Sequence, residues 1–343
     1  MTFVRYFRSS SAPNVLVTFK DISVDRLKEN FNVIQYNGES TTVPHDLLLK
    51  YLPLSDGIFC QVCDIIDGEL LNAAKHLKII STLSVGTDHI DVDECKKRTC
   101  TGVAQSDALK FRNIKVANTP DVLTEATAET TIALLLATSR RLLEAVDDAK
   151  SGRWKAWAPF YMCGTGLYNA TVGIVGLGRI GTSVAEKIKA FLPKRIIYHN
   201  RKPDEARASK VNADYVSLEN LLKEADFVIL TCSASSENKG MICKDTLSMM
   251  KANAILINVS RGSLVNQNDL YDALISGKIR AAGLDVTTPE PLPPEDPLFK
   301  LKNCVIFPHI GSATTETRMR MIRMIEDSLL HELGHITIDH DSF

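Results

Sequence analysis

The chain has 343 residues, with 40 Lys or Arg against 41 Asp or Glu and a formal net charge of −1. That balance excludes the basic footprint of a nucleic-acid-binding protein and a strongly acidic disordered tail, and the length is that of about two domains. Apolar residues make up 45%, an ordinary globular content, and no apolar run reaches the roughly 18 residues that a membrane-spanning helix needs.

Residues 1–13 carry Arg5, Arg8 and three serines but no acid, a composition that suits either a short mitochondrial presequence or a loose tail. The expected compartment is the cytoplasm, with the mitochondrion as the alternative. The 8 cysteines are scattered along the chain, unlike a small disulfide scaffold, which points to a reducing compartment. Cys60-Gln-Val-Cys63 is a CxxC, but it lies in an apolar run with no second pair nearby. A buried strand outweighs a metal or redox site there.

Short β-rich runs fall at 14–19, 77–83 and 114–118. From 124 to about 150 the pattern is helical. Ile132, Leu135, Leu136, Leu142, Leu143 and Val146 recur at three and four residues, which predicts one apolar face. Further strand-like runs lie at 171–175, 195–199, 227–231, 254–259, 281–286 and 304–307. Strand–helix alternation of this kind implies an α/β protein with parallel sheets covered by helices.

Thr171-Val-Gly-Ile-Val-Gly176-Leu-Gly178-Arg179-Ile180-Gly181 runs from a strand into G-x-G-x-x-G, and Val184, Ala185 and Ile188 follow at helical spacing. The first glycine allows the tight turn, the second lets backbone approach a pyrophosphate, and the third lets the helix pack closely. The helix N-terminus then offers free N–H groups to phosphates. An ordinary strand–turn–helix is the bland alternative. The next strand runs Ile196-Ile-Tyr-His-Asn200-Arg201-Lys202, with two cations where an NAD site wants a carboxylate. A 2′-phosphate pairs well with Arg201, so the expected cofactor is NADP(H); a solvated loop is the alternative.

Three later strands each end just before a polar group: Arg261 after 254–259, Glu290 after 281–286 and His309 after 304–307. In an open parallel sheet the carboxyl ends share one edge, where ligands bind. Arg261, Glu290 and His309 are therefore expected to converge near the dinucleotide. Taken singly they read as an Arg on a turn, a Glu on a rigid Pro loop and a capping His.

With these residues in view, the chain resembles the D-isomer-specific 2-hydroxyacid dehydrogenase family from Asn14 to about Arg320. The segments that carry the resemblance are Ser84-Val-Gly-Thr-Asp-His-Ile90, Asn118-Thr-Pro-Asp-Val-Leu-Thr124, Val175-Gly-Leu-Gly-Arg-Ile-Gly181, Asn258-Val-Ser-Arg-Gly262, Gly283-Leu-Asp-Val-Thr-Thr-Pro-Glu-Pro-Leu-Pro293 and Pro308-His-Ile-Gly-Ser312. The resemblance implies two doubly wound parallel-sheet domains. Residues 1–120 and 314–343 would form a discontinuous, flavodoxin-like substrate (lid) domain, and 121–313 an inserted NADP-binding Rossmann domain.

The resemblance also implies roles. His309 would give the proton to the substrate carbonyl, and Glu290 would hydrogen-bond its imidazole, since a neighbouring carboxylate stabilises imidazolium. Arg261 would clamp the carboxylate or carbonyl of a 2-oxo acid, for which a guanidinium fork is suited. Val85 and Gly86 would bind the carboxylate through backbone N–H groups, and Ser312 would line the substrate end. Gly176, Gly178, Arg179, Ile180, Gly181, Arg201, Lys202, Ser233, Val259, Asp285 and Gly311 would contact the cofactor, Asp285 near the nicotinamide. Trp157, with Trp154, would belong to a homodimer arm that reaches the partner's substrate site; packing within its own subunit is the alternative. The implied activity is NADPH-dependent reduction of small 2-oxo acids, glyoxylate to glycolate and hydroxypyruvate to D-glycerate. No metal, membrane or nucleic-acid partner is implied. Another dehydrogenase of the family, such as phosphoglycerate dehydrogenase, or a dinucleotide-sensing, corepressor-like binding protein are the alternatives. The former often carries a long regulatory extension, and the latter would want a peptide-binding extension or basic tract.

Two segments depart from the family pattern. Residues 99–113 read as an insertion of about a dozen residues. A structureless loop that long is uncommon; a flexible surface excursion and an artefact of the transcript are the alternatives, and the segment is expected to be poorly ordered. His331-Glu-Leu-Gly-His335 spells H-E-x-x-H, but Gly334 is expected to end the helix between the two ligands, which argues against zinc.

Overall fold

The computed structural model describes residues 2–97 and 113–334. The chain forms two compact units, Met1–Val122 with Thr315–Phe343 and Leu123–Thr314 between them.

The first unit carries strands β1 (Phe3–Tyr6), β2 (Asn14–Val17), β3 (Asn32–Tyr36), β4 (Gly57–Cys60), β5 (Ile79–Thr82) and β6 (Lys115–Ala117), and helices α1 (Asp25–Lys28), α2 (His45–Tyr51), α3 (Gly68–Ala73) and α4 (Val92–Lys97). The strand order is β1-β3-β2-β4-β5-β6. All pairings are parallel except β1 against β3. Without its antiparallel edge strand this is the flavodoxin order. The side-chain alternation of β2 explains the layering: Leu16 packs with Ile58, Ile80, Leu48 and Leu70 on one face. Val15 and Val17 pack with Phe59 and Ile79 on the other.

The second unit begins with helices α5 (Thr124–Ser139) and α6 (Leu142–Lys150). It continues with β7 (Thr171–Val175), α7 (Arg179–Lys189), β8 (Arg195–His199), α8 (Glu205–Val211), β9 (Ala213–Tyr215), α9 (Leu218–Glu224) and β10 (Phe227–Leu230). Then come α10 (Lys244–Met249), β11 (Ile255–Asn258), α11 (Gln267–Ile275), β12 (Ala281–Leu284) and β13 (Cys304–Ile306). Its order β13-β12-β11-β10-β7-β8-β9 reverses between β7 and β10, which is the Rossmann switch point. Helix α12 (Thr315–Leu333) then returns to the first unit, where Ile325, Leu329, Leu330 and Leu333 complete the second face of that sheet.

Three expectations need correction. Residues 3–6 are no loose tail: they form edge strand β1, and Phe3 is buried with Tyr36 and Tyr51 against it. The helical stretch from 124 to 150 is two helices, broken at Arg141, whose φ is +54°. It does not present one apolar face either. Leu142, Leu143 and Val146 are exposed, and no residue of α6 is buried. Helix α5 is buried through Leu134 and Leu135 together with small and hydroxyl residues, including Ala128, Thr131 and Thr138. Gly283 on β12 lets it approach, since a Cβ there would sit 2.6 Å from the Thr138 hydroxyl.

Cys60 ends buried strand β4 as expected, while Cys63 is exposed beyond it. Gly334 directly follows the last residue of α12; His335 lies outside the described residues, as does 99–113 apart from Asn113. No helix among the described residues is long and apolar enough to cross a membrane.

Candidate active site

All pairings in the seven-stranded sheet are parallel, so the loops after β7, β10, β11, β12 and β13 leave from one edge. The glycine loop follows β7. Gly176 has φ +104° and its Cα faces the Cys232 backbone so closely that any Cβ would collide, hence glycine. Gly181 faces the Gly176 carbonyl, and a Cβ at Gly178 would meet nothing within 4 Å. Crowding at the first and third glycines beside open space at the second is the arrangement a pyrophosphate needs. Arg179 opens α7 on the exposed side, and Ile180 packs partly into the core. The Leu177 amide donates to Asn200 Oδ1 at 2.7 Å, and the Thr231 hydroxyl donates to the Gly176 carbonyl at 2.8 Å. Burial pushes the Cys232 thiol up, so it stays a neutral lining group.

Arg201 and Lys202 follow β8. Both are exposed, and neither has an ion-pair partner among the described residues. Ser233 is an exposed residue after β10, and its carbonyl accepts from Asn238 Nδ2 at 2.9 Å. Val259 is buried after β11.

The other loops build the polar centre. His309 Nδ1 and Glu290 Oε1 are in direct contact, joining the loops after β13 and β12. Glu290 lies between two cis peptides, Thr288–Pro289 and Glu290–Pro291. His309 has φ +54°, a conformation a side-chain-bearing residue holds only when its surroundings impose it. Asp285 imposes it. Its carbonyl accepts from the His309 amide at 2.9 Å, and its carboxylate accepts from the Ile310 amide at 2.8 Å and the Gly311 amide at 2.9 Å. Burial raises the Asp285 carboxyl above its ordinary range, against the pull of those amides and of His309. Ser312 is half-buried one residue further on.

Arg261 stands at the same edge. Asn258 Nδ2 donates to its carbonyl at 2.9 Å, and Asn258 Oδ1 accepts from the Ser260 amide at 3.1 Å. The Arg261 guanidinium itself donates to the Ser260 carbonyl at 2.9 Å. Arg261, Glu290 and His309 thus arise from three adjacent parallel strands, with the Glu–His pair in contact.

Val85 and Gly86 belong to the first unit, in the loop that leaves β5. Trp157 is 83% exposed, Trp154 is 61% exposed and Phe160 is 89% exposed. Sequence reasoning missed Asn200 and Asn258, which tie down the loops that carry the predicted residues. Both close or follow a strand, and an Asn there is a recognisable loop-fixing signal.

Fold and edge together define the class, a two-unit α/β oxidoreductase built on a dinucleotide-binding Rossmann sheet. The profile of the D-isomer specific 2-hydroxyacid dehydrogenase NAD binding domain matches residues 132–311, and that of the catalytic domain of the same family matches 15–106. The chain is 48% identical over 299 residues to the glyoxylate reductase/hydroxypyruvate reductase of Mus musculus, covering 87% of each. A crystal structure of a protein from Thermus thermophilus superposes with TM-score 0.83 at 42% identity, covering 94% of this chain and 97% of that one. An NADPH-dependent glyoxylate/hydroxypyruvate reductase from Sinorhizobium meliloti, in complex with NADP and malonate, superposes with TM-score 0.77 at 31% identity, covering 94% and 95%. The chain belongs to the D-isomer specific 2-hydroxyacid dehydrogenase family.

Proposed function

We propose that the protein reduces small 2-oxo acids with NADPH, glyoxylate to glycolate and hydroxypyruvate to D-glycerate. The observation that carries this reading is the His309–Glu290 contact. It engages Nδ1 and leaves Nε2 as the ring nitrogen able to hold a proton toward a substrate. His309 donates that proton to the carbonyl oxygen at C2. Glu290 orients the imidazole through its contact with Nδ1. Arg261 holds the carboxylate and polarises the carbonyl, Val85 and Gly86 bind the carboxylate through their amides, and Ser312 lines the substrate end. When bound, the reduced nicotinamide supplies the hydride to C2.

The residues present fit that cofactor. Gly176, Gly178, Arg179, Ile180 and Gly181 hold the pyrophosphate at the start of α7. Ser233, Val259, Asp285 and Gly311 line the nicotinamide side. Arg201 and Lys202, exposed beside no acid partner among the described residues, take the 2′-phosphate. Residues 121–313 serve as the cofactor domain and 1–120 with 314–343 as the substrate domain. The exposed Leu142, Leu143, Val146, Trp154 and Trp157 support a homodimer in which Trp157 reaches the partner's substrate site. The cysteines scattered along the chain support a reducing compartment, the cytoplasm, with the mitochondrion as the alternative to be separated by imaging the tagged chain.

Initial rates with glyoxylate, hydroxypyruvate and pyruvate, each with NADPH and with NADH, test the reading. Oxidation of NADPH by the first two acids, faster than with pyruvate or NADH, is the expected result. No oxidation with either acid overturns it.

A further inference from the structure

The loop Ser84-Val85-Gly86 leaves the six-stranded sheet at its own carboxyl edge, and three consecutive carbonyls in it are tied down. Ser84 O accepts from the Thr119 amide at 2.9 Å. Val85 O accepts from Asn118 Nδ2 at 2.7 Å, and Gly86 O accepts from the Ser84 hydroxyl at 2.6 Å. A trans peptide points its N–H away from its C=O, and the cis bonds among the described residues lie only at Pro289 and Pro291. Anchoring these carbonyls therefore turns the amides of Val85, Gly86 and Thr87 away from the groups that hold the loop. None of the three amides donates to an acceptor among the described residues.

The Gly86 anchor ends a buried chain. Thr82 Oγ1 lies 3.0 Å from Ser84 Oγ and 2.8 Å from His89 Nε2. Thr82, Ser84 and His89 are 0%, 7% and 6% exposed. One proton per hydroxyl sets the direction. A carbonyl only accepts, so Ser84 donates to Gly86. Ser84 then accepts the Thr82 proton, and Thr82 accepts the His89 Nε2–H. The reverse sense leaves Thr82 and Ser84 facing each other with no proton between them. Cys60, against Thr82, has its thiol pushed well up by burial and stays S–H, so it brings no charge to the chain.

We propose that buried His89 is a positioning residue: through Thr82 and Ser84 it fixes the Gly86 carbonyl, and so aims the Thr87 amide as a third donor, beside Val85 and Gly86, at the substrate carboxylate. The identity of that anion rests on the reductase reading above. Successive backbone N–H groups of this kind make an anion-binding concavity, and a directed hydrogen-bond chain strengthens its terminal bond.

A double-mutant cycle tests the inference. Ser84→Ala is expected to raise KM for hydroxypyruvate about tenfold, the size of one lost buried hydrogen bond. Thr82→Val and His89→Phe are expected to raise it about threefold, as weaker links of the same chain. Adding Thr82→Val to Ser84→Ala is expected to cost nothing more, and Thr82→Ser to behave as wild type. Throughout, kcat and KM for NADPH should hold. Additive effects, a loss in kcat rather than KM, or no rescue by Thr82→Ser would overturn it. Should Thr82→Val not fold, His89→Phe replaces it in the cycle. If the wild-type enzyme reduces neither acid, the reductase reading has failed on its own. A crystal structure of Ser84→Ala then decides the chain's role: a turned Gly86–Thr87 peptide is expected, and an unmoved one refutes the inference.

Discussion

Asp285 and Asp64 each sit buried shortly after the end of a strand, one in each unit. Asp285 spends its carboxylate on the loop that bears His309, so the histidine is held from behind while its ring meets Glu290. His309→Ala should lower kcat by about 10²–10⁴, the usual contribution of a positioned acid, whereas Glu290→Gln should lose less because the ring keeps its place. Steady-state rates check both. Asp64 accepts from the Thr18 hydroxyl at 2.5 Å and the Gln61 amide at 2.9 Å, but burial dominates and raises its carboxyl from 3.8 to about 6. The folded chain therefore binds more protons than the unfolded chain between those values. Asp64's contribution is most favourable below the lower value and is lost as pH rises through about 6. Asp64→Asn should stabilise the protein by up to about 3 kcal/mol at pH 8 and by little at pH 4. Urea unfolding across that range reads the difference, and an equal effect at both ends would contradict the sign.

At the level of elements, the second unit depends on close backbone approach as much as on apolar bulk. Gly283 on β12 admits α5, so Gly283→Val should cost about 1–3 kcal/mol through overpacking, read as a lower urea midpoint with an unchanged slope. The turn after β8 sets the cofactor choice in the proposed function. Losing a charged hydrogen bond to phosphate costs about 1.5–3 kcal/mol. Arg201→Ala should therefore cut kcat/KM for NADPH by about 10–100-fold and leave NADH nearly unchanged. An equal loss with both cofactors would place Arg201 away from the 2′-phosphate.

For the molecule as a whole, a ligand that binds only the folded chain stabilises it by mass action. NADPH at about 100 times its dissociation constant should add about 3 kcal/mol. A thermal melt should rise more with NADPH than with an equal concentration of NADH, and the gap should shrink in Arg201→Ala. Light scattering should give twice the chain mass, falling to one chain on charging the exposed Trp154–Phe160 stretch. A single-chain mass for the wild type would refute the homodimer and leave Trp157 exposed to solvent.

The glycine loop was legible in sequence because its three glycines answer local steric demands: Gly176 at φ +104°, Gly178 beside open space and Gly181 against a carbonyl. Arg261, Glu290 and His309 were legible because parallel strands deliver their carboxyl ends to one edge whatever the covering helices do. The break at Arg141 was not, since Leu142, Leu143 and Val146 continue the helical spacing of α5 while the backbone turns at a single left-handed residue. Nor was strand β1, whose short apolar run gains its place only by pairing with β3. The His89–Thr82–Ser84 chain belongs with them. Periodicity records which residues avoid water, but a hydrogen bond between side chains needs the distances that only the folded loops bring about.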